Sequence, residues 1–393
     1  MIQSKLTLPI IIISQFCCTS LWFAGNGVMD DLIVKFQLDI SALGHLTSSV
    51  QLGFIIGTLT FAILTIADRF SPSKVFFICA LLGALFNASI IWEGNSLESI
   101  LLFRFVTGFF LAGIYPVGMK IAADYYEKGL GKSLSFLVGA LVIGTAFPHL
   151  LKEITGVFTW KYVLVATSTL AIFGGLLMMI VVPDGPYRKP SQRLELLAFF
   201  SVFQNSKFRS AAFGYFGHMW ELYAFWAFVP IMLMTYSKEH PEVIFNIPFL
   251  SFLIIGIGGL ACVLGGYLSQ VIGTKQMAFI SLFLSCICCL ISPLMFSLES
   301  EIIFVSFLLF WGMVVIADSP LFSTLVAQNA SPKIKGTALT IVNCIGFSIT
   351  ILSIQMINGV RTLTDSNSIY TILAFGPIIG LITLLTKKKG NIQ

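Results

Sequence analysis

The sequence predicts an all-α membrane protein with twelve transmembrane helices in two six-helix halves. Three observations support this prediction. Of the 393 residues, 57% are hydrophobic and 10% are charged, whereas a soluble domain has about 25% charged residues. The mean hydropathy is +0.93. Long apolar runs recur along the whole chain, and they lack the alternating polarity of spanning strands about 10 residues long.

The predicted spans follow these runs in order, because a helix needs about 20 apolar residues to cross the hydrocarbon layer. They cover residues 7–29, 43–66, 75–92, 98–123, 133–156, 162–182, 209–236, 247–270, 276–297, 302–328, 335–358 and 368–386. The longest polar segment follows the sixth span, and its residues 196–200 could form an amphipathic surface helix. We therefore predict an N-terminal half at 1–183, a cytoplasmic linker at 184–208 and a C-terminal half at 209–393.

The eight cysteines all lie in apolar runs, and none has the spacing of a metal site in a polar loop. We interpret them as small apolar residues, so the sequence predicts no disulfide, metal or cofactor. The first apolar run starts near Leu6 and extends past Trp22 without a small-residue cleavage site. We therefore expect a retained first span and not a signal peptide.

Basic residues predict the orientation, because short cytoplasmic loops carry an excess of Lys and Arg. With the N-terminus inside, the cytoplasmic segments hold 16 of the 23 basic residues and the opposite side holds five. Both termini are therefore expected in the cytoplasm. The net charge of +5 then reflects membrane topology and does not indicate nucleic-acid binding.

An internal repeat supports the division into halves. The fourth span contains "GFFLAGIYP", Gly108 to Pro116, and the tenth contains "GMVVIADSP", Gly312 to Pro320. Each is the fourth span of its half, and each is followed by a basic loop and a glycine. Paired interrupted helices at corresponding positions are where transporters build their sites.

Further motifs resemble those of the major facilitator superfamily of secondary transporters, over essentially the whole chain. The loop after the second span, "ADRFSPSKVF", is similar to the superfamily's signature loop but has Leu64 and Ser71 where the signature has glycine. The second half carries a weaker copy, "GGYLSQVIGTK", with Gln270 in place of the acid. The stretch "RFVTG", which begins at Arg104, resembles the superfamily's Arg-x-x-polar-Gly motif. The resemblance implies the two-half major facilitator fold and alternating access around a central site.

Four residues within the predicted spans are candidates for proton coupling. A charge at mid-bilayer costs roughly 3 kcal/mol, so Glu221 and Asp318 are candidates for carboxyl groups that are neutralised reversibly. His218 precedes Glu221 by three residues and shares its helix face, and the motif resemblance implies a role for Arg104 in proton transfer. Alternatively, Glu221 is a protonated or paired acid that ties helices together, and His218 hydrogen-bonds a neighbouring carbonyl. Asp318 would then fill a polar pocket beside Pro320, and Arg104 would extend toward the membrane surface.

Candidate substrate contacts lie in the same spans. Lys120 is the candidate for holding a substrate anion, although it could instead extend toward the cytoplasm beside Asp124. Asn26 and Trp22, one helical turn apart on the first predicted span, offer a hydrogen bond and an apolar wall. The aromatic candidates, for which core packing or an interfacial belt is the alternative, are Tyr115, Trp220, Tyr223 and Trp226.

The charged loop after the second span is the candidate conformational latch. Asp68, Arg69 and Lys74 would join helices in one conformation of the transport cycle. The positive-inside rule alone explains Arg69 and Lys74 but does not explain the acid.

These observations predict a transporter and not an enzyme. The chain has no nucleotide-binding loop and no catalytic-site motif. We expect a monomeric, proton-coupled secondary transporter of a small organic anion or zwitterion in a bacterial inner membrane. The alternatives are a proton-driven exporter of amphiphilic compounds, which the fifth span disfavours because "GALVIGTAFPHLL" lacks the Gly-Pro and paired glycines of drug antiporters, and a non-transporting membrane receptor.

Overall fold

A computed structural model describes residues 6–126, 130–156, 159–188, 202–331, 334–364 and 366–386. The regular structure of these residues is helical. The amphipathic helix predicted at 196–200 lies outside the described residues. All eight cysteines are buried.

Six spans make up the first part of the chain. They comprise Thr7–Thr19 with Met29–Phe36, Ala42–Ile63, Pro72–Ser89, Leu97–Leu111 with Tyr115–Tyr125, Leu130–Ile154 and Lys161–Val181. Six further spans follow the linker. They comprise Ser206–Glu239, Ile247–Ile272, Thr274–Phe296, Glu301–Ala317 with Ser319–Asn329, Lys335–Arg361, and a 3₁₀ segment Asn367–Ala374 that continues into Phe375–Leu385.

The helix lengths confirm the predicted fold class. In the described part of the chain, ten of these spans are apolar and long enough to cross a membrane, and the first and seventh spans complete the set. We call the end of the bundle that carries Thr7 and Leu385 the terminal face, and the other end the opposite face. Because successive spans alternate in direction, the loops after the second, fourth, eighth and tenth spans lie at the terminal face.

The first span departs from the predicted uninterrupted helix at 7–29. Its helix ends at Thr19, and a turn and a short 3₁₀ segment, Asn26–Val28, follow before the next helix. The Thr19 and Ser20 hydroxyls donate to the carbonyls of Gln15 and Cys17, at 2.8 and 2.7 Å, a local bonding mode that competes with helix continuation. The sequence analysis placed Trp22 and Asn26 one turn apart on a regular helix. In the structure they lie in the turn and the 3₁₀ segment that follow the helix.

The repeated motif produces the same backbone feature in both halves. The fourth span is interrupted between Leu111 and Tyr115, and the tenth span is interrupted at Asp318, in each case just before the proline of the motif. Gly108 packs directly against a carbonyl of the second span, and Gly312 packs against one of the eighth span. A side chain at either glycine would overlap that carbonyl, so the close approach requires glycine.

In the described part of the chain, two helix pairs make the most extensive contacts between the first six spans and the last six. The fifth and eighth spans cross at Gly139 and Gly259, where a Cβ on either glycine would lie 3.0 Å from the carbonyl oxygen of the other. The second and eleventh spans meet near the opposite face, where the amide of Gln355 donates to the Gly44 carbonyl at 3.0 Å and to the Ser48 hydroxyl at 2.8 Å. The predicted domain boundaries at 183 and 209 stay a prediction.

Candidate functional site

A buried histidine–aspartate pair lies between the seventh and tenth spans. His218 Nδ1 is 2.8 Å from Asp318 Oδ1, and each side chain is 1% exposed. His218 comes from the middle of the 34-residue seventh span, and Asp318 occupies the interruption of the tenth. No other side chain in the described part of the chain gives either of them a hydrogen-bond partner.

Glu221 lies one helical turn beyond His218, on the same face of the seventh span. The indole of Trp311 donates to Glu221 Oε1 at 2.6 Å, and the Ser285 hydroxyl donates to Oε2. The carboxyl group is 1% exposed, and no salt bridge to it occurs among the described residues. Trp311 and Ser285, with the Cys289 thiol also in contact, hold the carboxyl group at a position where its ionised form has no counter-ion among the described residues.

The two acids and the histidine together form a titratable cluster inside the C-terminal spans, which we call the acid–histidine cluster (His218, Glu221 and Asp318). Among the described residues, no group of three or more His, Cys, Asp or Glu side chains has an arrangement that could hold a metal ion. The cluster can, however, accept and release protons. The sequence signals for its neighbours were weak: Trp311 directly precedes the repeated glycine, and nothing in the sequence marked Ser285.

Arg104 lies in the interior of the molecule, beside the turn that interrupts the first span. It is 1% exposed and does not extend to the membrane surface. Its guanidinium donates to the Leu21 carbonyl at 3.1 Å, to the Asn87 side-chain oxygen at 3.3 Å, and to the Trp22 carbonyl. The carbonyls belong to the turn that interrupts the first span. Arg104 thus occupies acceptors that a continuous helix would have used, and in the described structure it contacts no carboxylate.

An aromatic cluster fills the centre of the molecule between the two sets of spans. Its members, which we call the central aromatic cluster, are Trp22, Phe23, Phe54, Tyr223, Trp226 and Phe347. Trp22 stacks on Tyr223 with ring centroids 5.7 Å apart and contacts Phe54 at 4.8 Å. The indole nitrogens of Trp22 and Trp226 are buried and have no hydrogen-bond partner in the described structure. A substrate that entered this cluster would meet aromatic faces and unused donors.

The other predicted substrate residues are distributed more widely. Tyr115 begins the second segment of the fourth span and is partly buried against the core. Asn26 donates to the Thr47 hydroxyl at 2.8 Å. Trp220 instead faces the twelfth span, where its indole donates to the Ile372 carbonyl at 3.0 Å and its ring meets Phe375 at 5.5 Å. Trp220 is therefore not part of the central aromatic cluster.

A cleft of about 470 Å³ opens at the opposite face between the first, second, seventh and eleventh spans. Its walls are mostly apolar, and its charged residues are Asp30, Lys238 and Arg361. Asn26 lines the same cleft, four residues beyond Trp22. The cleft therefore approaches the central aromatic cluster from the opposite face.

Lys120 does not line the centre of the molecule. Its ammonium group lies 2.9 Å from Asp68 and 3.6 Å from Asp124, at the terminal face. This arrangement agrees with the alternative considered for Lys120, in which it extends toward the membrane surface beside Asp124. Because two carboxylates share its charge, Lys120 is poorly placed to hold a substrate anion in the central aromatic cluster.

A wider polar network surrounds the Lys120–Asp68 pair. Arg188 donates to the carbonyls of Asp68 and Phe70, both at 2.7 Å, and pairs with Asp184 at 2.6 Å. The Ser71 hydroxyl donates to Asp184 at 2.6 Å. The network therefore ties the loop after the second span to the fourth span and to the end of the sixth.

The remaining two predicted latch residues lie at the margin of this network. Arg69 donates to the Thr65 hydroxyl at 3.0 Å, and Lys74 is exposed. Arg188 and Asp184, which the sequence analysis assigned only to the linker, provide the additional contacts.

The comparisons with known proteins agree with this architecture. The family model described as Major Facilitator Superfamily matches residues 11–354. None of the curated proteins matches the sequence. Similar solved structures include a mutant of the nucleoside transporter NupG, at 17% identity and a TM-score of 0.73, which covers 97% of this chain and 98% of that chain.

Two further structures show the same likeness. The human organic anion transporter MFSD10 (TETRAN) is 14% identical with a TM-score of 0.73, covering 98% of this chain and 100% of that one. The proton:xylose symporter XylE, bound to 6-bromo-6-deoxy-D-glucose, is 15% identical with a TM-score of 0.69, covering 96% and 94%. At these identities the structural likeness shows the fold alone. The family model, however, spans most of the chain, and this chain belongs to the major facilitator superfamily of transporters.

Proposed function

We propose that this chain is a proton-coupled secondary transporter of a small organic anion or zwitterion, which works by alternating access. The observation that carries this proposal is the buried acid–histidine cluster. Ionisable residues inside a membrane are costly and mark substrate or proton paths. Among the described residues, the acids of this cluster have no fixed cation that would keep them permanently ionised.

The proton chemistry follows from the pair of His218 and Asp318. With one shared proton the pair is neutral overall, either as acid and imidazole or as carboxylate and imidazolium. Loss of that proton would leave a buried negative charge, and gain of a second would leave a buried positive charge. Either change is costly in a dry site, so proton exchange would accompany opening of the site to water. Glu221 would be the acid that gains and loses the transported proton.

The cleft supports the proposed substrate class. Lys238 and Arg361 form no salt bridge within the described residues, and the guanidinium of Arg361 lies 5.5 Å from the centre of the Phe228 ring. These cations would attract a carboxylate group, while Asp30, which lines the same cleft from the first span, would match an ammonium group. Lys120, the residue first considered for this role, is better placed in the latch.

The latch would act in the rocking of the two halves. The Asp68–Lys120 pair and the Arg188 network join spans of the N-terminal half at the terminal face. Their dissolution or reinforcement would bias one conformation over another. Arg104 would keep the first span interrupted, so that the polar backbone of that turn borders the central aromatic cluster.

An exporter of amphiphilic compounds is the second candidate function. The observation that favours it is the apolar lining of the cleft, which includes Met29, Ile33 and Ile231 and approaches the central aromatic cluster. Such a transporter would bind amphiphilic cations or neutral amphiphiles at least as well as small carboxylates. Competition between these two ligand classes for the purified protein separates the candidates.

We further propose that the terminal face lies in the cytoplasm of a bacterial cell and that the transporter is a monomer in the inner membrane. The excess of basic residues on that face supports this orientation. Lys74→Cys should react with a membrane-impermeant maleimide only from the cytoplasm, and Glu239→Cys only from outside. The native cysteines are buried and should give little background. Labelling of Glu239→Cys from the cytoplasm would contradict the proposed topology.

Transport by the reconstituted protein tests the proposed function itself. A thermal-shift screen against small carboxylates and amino acids identifies a ligand, because a ligand that prefers the folded state raises the melting temperature. That ligand, added outside proteoliposomes, should cause proton movement that a protonophore abolishes and that sodium does not replace. Substrate uptake without proton movement would contradict proton coupling, and ligand binding without uptake would favour a receptor.

A further inference from the structure

A second cavity, separate from the cleft and the central aromatic cluster, lies at the terminal face of the C-terminal spans. It has a volume of about 710 Å³ and is formed by the ends of the seventh, ninth, tenth and twelfth spans. We call it the basal pocket. It lies entirely within one set of six spans, so rocking of the halves does not close it.

The polar side of the basal pocket is cationic. Lys207, Arg209 and Lys275 line it together with Ser206 and Thr386, and no acidic residue occurs in the lining that the structure describes. Lys207 and Lys275 are exposed and form no salt bridge within the described part of the chain. Arg209 donates to the Phe203 and Gln204 carbonyls, at 2.9 and 3.3 Å. Two ammonium groups are therefore available to an incoming anion.

The other side of the basal pocket is apolar. Its lining includes Ala211, Phe213, Leu325 and Leu384. The Phe213 side chain is 38% exposed, whereas Leu384 is 4% exposed. A bound molecule would thus contact cations at one end and hydrocarbon at the other, at the depth where the span ends meet the membrane surface.

We propose that the basal pocket binds the phosphate-bearing headgroup of an anionic phospholipid from the adjoining leaflet. Lys207 and Lys275 would contact the phosphate, and an acyl chain would lie along Phe213. Basic pockets between transmembrane helices suit such headgroups. The apolar wall favours a lipid over a free phosphate, because a small soluble anion would leave that wall uncovered.

The position of the basal pocket gives the lipid a consequence for transport. The seventh span lines the pocket and carries His218 and Glu221, and the tenth span lines it at Leu325 and carries Asp318. A lipid bound at the ends of these two spans would hold them together. The acid–histidine cluster would then keep its geometry through the transport cycle.

Lipid titration of the purified full-length protein in detergent tests this site. The probes are a fluorescent phosphatidylglycerol, unlabelled phosphatidylglycerol and phosphatidylcholine as competitors, and inorganic phosphate. We expect phosphatidylglycerol to displace the probe and phosphatidylcholine and phosphate to fail. Each lysine should contribute about fivefold to affinity, so Lys207→Gln with Lys275→Gln should weaken binding roughly 25-fold.

Two matched double variants complete the test. Lys74→Gln with Lys335→Gln removes two exposed lysines from the same face outside the pocket and should change the affinity by less than about twofold. Lys207→Arg with Lys275→Arg keeps both charges and should bind within about threefold of the wild type. Equal lipid affinity of the Gln pocket variant and the wild type would overturn the site. Displacement of the probe by inorganic phosphate as effectively as by phosphatidylglycerol would overturn the lipid as its ligand.

Discussion

The fourth and tenth spans are interrupted in the same way, but they carry buried charges of opposite sign at different positions of the repeat. Both are interrupted just before the proline of the repeated motif, and in both the motif's glycine touches a carbonyl of the second span in its half. Within the repeat, Arg104 of the fourth span corresponds to Leu308 of the tenth. Asp318 of the tenth span corresponds to Ile114 of the fourth. All four side chains are buried.

The partners of these charges differ as much as their signs. The Arg104 guanidinium is engaged by two backbone carbonyls and an amide oxygen, so its charge is fixed in place. Asp318 faces a histidine, which is itself titratable. We infer that the buried charge of the N-terminal half shapes the backbone, and we propose that those of the C-terminal half take part in proton transfer.

The terminal face shows the same division. Lys120 of the fourth span pairs with Asp68, but the position that corresponds to Lys120 in the tenth span is Thr324, whose hydroxyl donates to the Pro320 carbonyl at 2.8 Å. The loop of the second half that resembles the Asp68 loop carries Gln270 in place of the acid. We infer that the ion-pair latch belongs to the N-terminal half and proton coupling to the C-terminal half.

The largest loss of stability should come from substitution of the motif glycine that both halves share. Gly108→Ala and Gly312→Ala should each lower the free energy of unfolding by about 3 kcal/mol, because the added methyl group overlaps a backbone carbonyl in a packed helix crossing. Gly359→Ala is the control, since nothing lies within 4 Å of its Cβ position, and it should be neutral or slightly stabilising. Denaturant unfolding in detergent measures all three. If alanine were tolerated at only one of the two motif glycines, the two halves would not share the same close helix packing.

A smaller loss of stability should distinguish the buried arginine of the N-terminal half from the leucine at the corresponding position of the C-terminal half. Arg104→Met leaves two buried carbonyls and the Asn87 oxygen without their donor, and we expect a loss of about 2 kcal/mol. Leu308→Met at the corresponding position is volume-conserving and should cost less than about 1.5 kcal/mol. Thermal unfolding provides the measurement. If Arg104→Met unfolds like the wild type but loses proton coupling, the buried arginine acts in transport and its proposed structural role is wrong.

The smallest effect on stability should come from the latch. The Asp68–Lys120 pair is about one quarter exposed on each side, so Lys120→Ala should cost at most about 1 kcal/mol. Because Lys120 lies outside the central aromatic cluster, substrate affinity should stay within about twofold of the wild type. Accessibility of a cysteine at the terminal face should rise. A sharp loss of substrate affinity in Lys120→Ala would indicate that this residue binds the substrate.

The sequence predicts the number and order of the spans well because each span is a long apolar run with its own composition. The interruptions before Pro116 and Pro320 were also predictable, since proline and the repeat mark them. The break after Thr19 was not, because it depends on hydroxyl groups that bond to the preceding turn and on Arg104, more than eighty residues away. The Lys120–Asp68 pair was not predictable for a related reason: Asp68 lies in the loop after the second span, and spacing along the fourth span does not reveal such a pair.

We propose that Glu221, in the C-terminal half, carries the transported proton. Glutamine keeps the shape of this side chain: its oxygen can still accept from Trp311, and its amide group can donate to the Ser285 hydroxyl oxygen. It cannot titrate. Asp318→Asn is the matched comparison within the acid–histidine cluster. If both variants behave alike, the two acids titrate as a coupled pair. Loss of coupling in Asp318→Asn alone would make Glu221 structural.

The decisive measurement sets substrate-driven proton flux beside counterflow of labelled substrate, in proteoliposomes that contain Glu221→Gln. We expect proton flux and uphill accumulation to disappear while counterflow stays within about threefold of the wild type, because exchange requires binding and rocking but no net proton transfer. Full proton-driven accumulation by Glu221→Gln would show that Glu221 does not carry the transported proton.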